Sequence, residues 1–104
     1  MRTAEINKWI NEGGSLPQDL TQEEKDHLTK LGWSVEEGGE FYGAYEHHFL
    51  HGKEHGKREE WYSNGRRRTE ENWFHGMKHG VFKKWWREGN LYTDEEYYYG
   101  NRIK

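Results

Sequence analysis

Residues 49–65 read FLHGKEHGKREEWYSNG, and residues 74–90 read FHGMKHGVFKKWWREGN. The two phrases run in step once their His-Gly pairs are superposed. His51–Gly52 aligns with His75–Gly76, and His55–Gly56 with His79–Gly80. Trp61, Tyr62 and Gly65 align with Trp85, Trp86 and Gly89; Thr69, Glu70 and Glu71 align with Thr93, Asp94 and Glu95. Trp73–Phe74 aligns with Tyr97–Tyr98, and a further copy opens at Gly100. Upstream, GWSVEEGGEFYGAYEHHF (residues 32–49) reads as a worn copy. Self-similarity at a fixed period of this length is the mark of a repeat architecture.

One unit reads as a β-hairpin. Aromatic and charged residues alternate, which suits strands. Residues 57–62 are expected as one strand, Ser63–Gly65 as the tip, and residues 66–74 as the return strand, because Asn-Gly is a strong hairpin signal. HGKEHG (residues 51–56) is expected to turn the chain between hairpins, with glycine supplying positive φ. Units joined in this way make an antiparallel meander.

Residues 1–32 have another texture. Ile6, Trp9 and Ile10 stand at i, i+3 and i+4, which predicts a helix with Thr3 as its N-cap and Gly13–Gly14 as its end. SLPQDL (residues 15–20) is a turn or an extended link. TQEE (residues 21–24) matches a capping box and opens a second helix with Leu28 and Leu31 on its apolar stripe and Gly32 at its end. Both helices are short, so each needs a surface to lie on. The division expected is a helical segment over residues 1–32 and a repeat sheet over residues 33–104, forming one compact domain of class α+β.

Composition narrows the function classes. Aromatics make up 16% of the chain and charged residues 34%. A core must therefore be built largely of rings, and the aromatic content argues against disorder. Residues 1–46 carry 10 acidic and 4 basic side chains, whereas residues 47–104 carry 9 and 12. The total of −3 is too acidic for a typical strong nucleic-acid binder. Cysteine is absent, which excludes disulfides and thiolate metal sites and fits a reducing, cytoplasmic setting. No apolar run suggests a signal peptide or a membrane span.

The segment NWFHGMKHGVFKKWWREGNLYTDE resembles the MORN-type repeat in its bacterial variant, through Trp73, Gly76, Gly80, Phe82, Trp85, Trp86, Gly89 and Leu91. The copy from Phe49 matches at Gly52, Gly56, Trp61, Tyr62 and Gly65, and departs at Arg58 and Arg67, where apolar residues are expected. The resemblance covers about residues 33–104. It implies a role among the antitoxins and immunity proteins of toxin systems; a phage-encoded inhibitor of a defence enzyme is a close variant. Other proteins with such repeats are linked to membrane lipid or to protein scaffolding.

Several residue sets are candidates for chemistry. Trp86, Tyr92 and Tyr98 are the candidate aromatic partner surface, since Trp and Tyr dominate interface hot spots. Arg66, Arg67 and Arg68, together with the off-pattern Arg58, are candidate cationic contacts, echoed by Lys83, Lys84 and Arg87. Cations interleaved with rings could bind nucleic acid, a nucleotide or anionic lipid, which is the alternative reading; pairing with Glu59, Glu60, Glu70 and Glu71 is the structural one. The histidines are read as turn residues rather than metal ligands, and no metal or cofactor is expected. Glu23, Glu24 and Asp26 suit a helix N-terminus, with an acidic decoy for a basic groove as the sharper reading. Catalysis finds no nucleophile, no phosphate loop and no well-placed acid/base pair. The expectation is a non-enzymatic module that occludes a protein partner, with an open last strand that could pair with a second copy.

Overall fold

The computed structural model of the chain describes residues 1–40 and 43–104. Phe41 and Tyr42, in the worn first copy, lie outside the described residues. The class is α+β: helices α1 (Thr3–Glu12) and α2 (Gln22–Lys30) accompany an eight-stranded antiparallel sheet. The strands are β1 (Trp33–Glu40), β2 (Gly43–Leu50), β3 (Lys53–Trp61), β4 (Arg67–Phe74), β5 (Met77–Lys78), β6 (Gly80–Trp85), β7 (Leu91–Tyr98) and β8 (Asn101–Arg102). Their order is β1-β2-β3-β4-β6-β7-β8, with the short β5 beside β4.

The apolar stripes of the helices bury against the sheet. Ile6, Trp9 and Leu28 are fully enclosed, and Leu16 and Leu50 join them. Ile10, Leu20, Leu31 and Trp33 pack around this core. Each such side chain contributes roughly 1.5–3 kcal/mol of transfer free energy, so this small cluster holds the helices down. Gly56 in β3 makes room for it. A Cβ there would strike the Trp9 indole nitrogen, and the residue sits at φ 82°.

Thr3 does not cap α1. The N-cap is Arg2, with no side-chain cap at all. A tertiary contact sets this start: the Arg2 backbone N–H and Nε each donate to Glu24 at 3.0 Å, and its Nη1 donates to Asp19 at 2.6 Å. Glu24 also completes the capping box of α2. It accepts from the Thr21 N–H at 3.0 Å, while Thr21 Oγ1 accepts from its own N–H at 3.1 Å. Hydrogen bonds from the Arg2 side chain, then from the Thr21 and Arg2 backbones, hold the Glu24 carboxyl well below the usual carboxylate range. The end of α2 follows expectation, with Leu31 as cap and Gly32 at φ 104° beyond it.

The turns differ from the sequence reading. Two-residue turns fall at His51–Gly52, His75–Gly76 and Tyr99–Gly100, where both residues have positive φ. Such pairs of left-handed residues match the twist of the flanking strands. Asn64–Gly65 is not of this kind: the left-handed residue is Gly65, and the loop is closed by Gly65 N–H to Tyr62 O at 2.9 Å and Tyr62 N–H to Arg66 O at 2.8 Å. Gly89, Trp86 and Asn90 make the same two bonds at 2.9 and 2.8 Å. HGKEHG is therefore only partly a turn. Its first two residues turn, and Lys53–Gly56 already belong to β3, so that strand starts at Lys53 rather than at the expected position 57, and it ends at Trp61.

Candidate functional site

His55 explains what the recurring histidines do. It lies within β3 with no exposed surface. Its Nδ1 accepts from the backbone N–H of His75 at 3.0 Å, which leaves Nε2 to donate to Trp9 O at 2.7 Å. The imidazole thus ties the end of α1 to the tight turn of the next hairpin. Burial pushes its pKa below the ordinary value, with the neighbouring His75 acting in the same direction. His79, its counterpart in the next unit, repeats half of this arrangement: its Nδ1 accepts from Tyr99 N–H at 3.0 Å near the surface. Among the described residues, no group of three or more His, Asp and Glu is arranged to hold a metal ion.

Arg58 and Arg67, the two off-pattern cations, are engaged within the sheet. Arg67 reaches Glu59 at 2.7 Å and Glu70 at 2.8 Å. Those two carboxylates are directly opposed across β3 and β4, a like-charge pair that is unfavourable without a cation between them. One unit on, the opposed pair is Lys83 and Asp94, and the position of Arg67 is taken by Leu91. The arginine is present where the charges need it and absent where they do not. Arg58 stands where the next unit has the buried Phe82. It lies within 3.6 Å of Glu54 and 3.9 Å of Glu71, and its Nε donates to His47 at 3.2 Å. Around Phe82 itself, Trp73 and Tyr97 pack edge-on at 5.5 and 5.1 Å between centroids, with the Lys78 ammonium over Phe82 and Tyr97.

Arg66 and Arg68 are exposed and sit on the loop edge of the sheet. Arg66 donates to Glu88 O in the neighbouring loop, and Asn64 donates to Arg87 O at 3.2 Å. Arg68 lies over the Tyr62 ring at 5.9 Å. In the next unit the positions of Tyr62 and Arg68 are held by Trp86 and Tyr92, which stack at 4.1 Å with an interplanar angle of 24°. Both are about half exposed, at 53% and 47%. Tyr98 is equally open but belongs to the other end of β7, where it packs edge-on against Tyr99 at 4.6 Å. The structure therefore joins Trp86 with Tyr92, and separates Tyr98 from them by the length of the strand.

Leu91 at the Trp86/Tyr92 end of β7, and Tyr99 and Ile103 at its Tyr98 end, are exposed as well. Sequence reading placed Leu91 in the repeat pattern only and did not single out Tyr99 or Ile103 as surface residues. The acidic helix offers less than its composition suggests. Glu24 is buried and bound by Arg2, and Asp26 accepts from Gln22 at 2.9 Å, so a decoy surface there loses its central carboxylate. A cleft of about 350 Å³ lies between residues 14–20 and β1–β3, with Trp33, His48, Glu46 and Lys57 in its wall. Three carboxylates (Glu37, Glu46 and Glu59) and two ammonium groups (Lys25 and Lys57) line it, so charges of both signs are present. Burial lowers the pKa of His48 there, against the opposing pull of Glu46.

No protein-family model matches the chain, and no curated protein or solved structure matches it either. No helix among the described residues is long and apolar enough to cross a membrane.

Proposed function

We propose that the protein is a non-enzymatic binding module, built of MORN-type hairpin repeats, that works by occluding a protein partner. An antitoxin, an immunity protein or a phage-encoded inhibitor of a defence enzyme is the setting this reading favours. The repeat reading draws support from turns, loop bonds and histidine contacts that recur from one unit to the next. One observation carries the binding reading. Six large apolar side chains stand 45–59% exposed on the final hairpin and its flanks: Trp86, Leu91, Tyr92, Tyr98, Tyr99 and Ile103. At one end of β7, Trp86 and Tyr92 stack at 4.1 Å while about half exposed, and exposed aromatics paired in this way suit an interaction surface. The alternative, an anionic lipid or nucleic-acid ligand, is less well supported, because Arg58 and Arg67 are already paired with carboxylates.

The test is affinity capture from lysate of the source cells with the wild-type chain and with Trp86→Ala/Tyr92→Ala. Both side chains are exposed, so the double variant keeps the wild-type circular dichroism spectrum and melting temperature to within a few degrees. Loss of the captured protein supports the reading. Retention of it moves the surface elsewhere, with the helices as the next suspects.

A further inference from the structure

The arginines of the chain fall into two groups. Among the described residues, Arg2, Arg58, Arg67 and Arg102 each pair with a carboxylate. Arg66, Arg68 and Arg87 pair with none, and all three are exposed. These three share one edge of the sheet. Arg66 and Arg68 stand at the start of β4, and Arg87 follows the end of β6. β4 and β6 are neighbouring strands, so their backbones run about 5 Å apart. The two loops are braced against each other, because Arg66 donates to Glu88 O and Asn64 donates to Arg87 O at 3.2 Å. Asn64 Oδ1 also accepts from the Arg66 N–H at 3.0 Å. Arg66 and Arg68 stay exposed although a complete hairpin, β6 and β7, lies beside their own. Their exposure is a property of the loop edge and does not depend on a place at the side of the sheet. Residues 61–68 and 85–92 together hold four arginines and one carboxylate, Glu88, within a chain of net charge −3. Arg67 is already engaged by Glu59 and Glu70, and Glu40, at the end of β1, adds an acidic residue at the same edge. Next inward, Lys83 faces Glu70 and Asp94, while Lys84 faces Thr69 and Thr93. Three unpaired guanidiniums remain at the surface.

We infer that this loop edge receives an acidic segment of a protein partner, whose carboxylates bind the guanidiniums of Arg66, Arg68 and Arg87. This rests on the protein-binding reading above and names the chemistry of the partner. A guanidinium has five N–H donors and can meet a carboxylate through two of them at once. Arg66 uses Nη1 on Glu88 O and keeps its other donors, while Arg68 lies over the Tyr62 ring. Trp86 and Tyr92, next to Arg87 and half exposed, take an apolar or aromatic residue of the same segment. The loops are held by their own bonds, so little ordering is left to oppose binding. Charge favours a protein segment over a nucleic acid. Every nucleotide brings a phosphate, so a strand crossing the loops sets an anion against Glu88. A protein segment can place a neutral or basic residue there. Two copies of the chain meeting through this edge would bring arginines together, which is unfavourable.

The experiment uses the full chain and three labelled probes: an acidic peptide, GDEDWLDEDG, its basic counterpart, GKRKWLKRKG, and an oligothymidylate of equal length. Fluorescence anisotropy is expected to show saturable binding of the acidic peptide and binding of the basic one weaker by about tenfold or more. Arg68→Glu/Arg87→Glu is expected to weaken the acidic peptide by about tenfold or more. Both side chains are exposed, so this variant keeps the wild-type melting temperature to within a few degrees. Arg66 is left in place because it braces the loops. Lys8→Glu/Lys30→Glu makes the same change in net charge at exposed positions of the two helices, and is expected to alter binding by less than about threefold, since distant exposed charges are screened. The proposal is overturned by no binding of the acidic peptide, by equal binding of the two peptides, or by equal losses in the two double variants. Tighter binding of oligothymidylate than of the acidic peptide overturns it in favour of nucleic acid. Concentration-dependent association of the free chain, abolished by Arg68→Glu/Arg87→Glu, overturns it in favour of a second copy. If the protein captured from lysate is lost by Trp86→Ala/Tyr92→Ala but kept by Arg68→Glu/Arg87→Glu, the binding reading stands and the acidic segment falls.

Discussion

Replacing His55 with alanine tests the account of the repeated histidines most directly. The substitution removes the bond to Trp9 O at 2.7 Å and the bond from His75 N–H at 3.0 Å. Each is worth about 1 kcal/mol net. It also removes the edge-on contact with the Trp9 ring, at 4.6 Å and 86°, and leaves a void in a site with no solvent exposure. That contact and void together add about 1–2 kcal/mol. No further penalty for stranded groups is added, because Trp9 O keeps its bond from Gly13 N–H at 2.8 Å and His75 lies in a turn at the surface, where water can reach it. The sum is about 3 kcal/mol, which in a domain of this size lowers the melting temperature by about 10–20 °C. His79→Ala is the internal control. It removes one comparable bond, to Tyr99 N–H, close to the surface, and should cost about 1 kcal/mol or less. Equilibrium urea denaturation followed by tryptophan fluorescence measures both. A cost for His55→Ala within experimental error of His79→Ala would refute the claim that burial and the bridge to α1 distinguish them.

Two other predictions follow from the same contacts. His55 and His48 both have pKa values lowered by burial in the folded state. The unfolded chain therefore binds protons first, so stability is fully present above about pH 6.5 and falls as the pH drops below it. Melting temperatures measured from neutral to mildly acidic pH should decline, and His55→Gln should flatten the decline; a flat wild-type profile would contradict the buried neutral imidazoles. Arg67→Leu should destabilise by about 1–2 kcal/mol, because Glu59 and Glu70 are left facing each other. Adding Glu59→Lys should recover most of that loss by recreating the Lys83–Asp94 arrangement that tolerates Leu91. Failure of the second change to recover stability in urea melts would mean that Arg67 acts through something other than these carboxylates.

Much of the fold was legible because it rests on local rules. The apolar spacing of Ile6, Trp9 and Ile10, the capping box at Thr21–Glu24 and the glycine after Leu31 each act within one or two turns of chain, and each appears where sequence places it. The Thr3 cap failed for the opposite reason. Its competitor was a contact between Arg2 and Glu24, 22 positions apart, which no local pattern reveals. The candidate aromatic site was half legible. Composition marks Trp86, Tyr92 and Tyr98 alike, but only strand geometry shows that the first two stack while the third stands at the far end of β7.

The amino-acid sequence by itself determined the repeat period, the α+β division near residue 32 and the residue types that recur. Those properties follow from periodicity, turn chemistry and helix capping, which depend on neighbours along the chain. Tertiary structure decided what the recurring residues do. His55 and His79 occupy the same place in their units, yet one is enclosed by α1 and the other lies near the surface. Arg58 and Phe82 occupy another shared place, one among carboxylates and the other among rings. A side chain's role depends on what faces it across the sheet and on what covers it, and both are set by packing between segments distant in the chain.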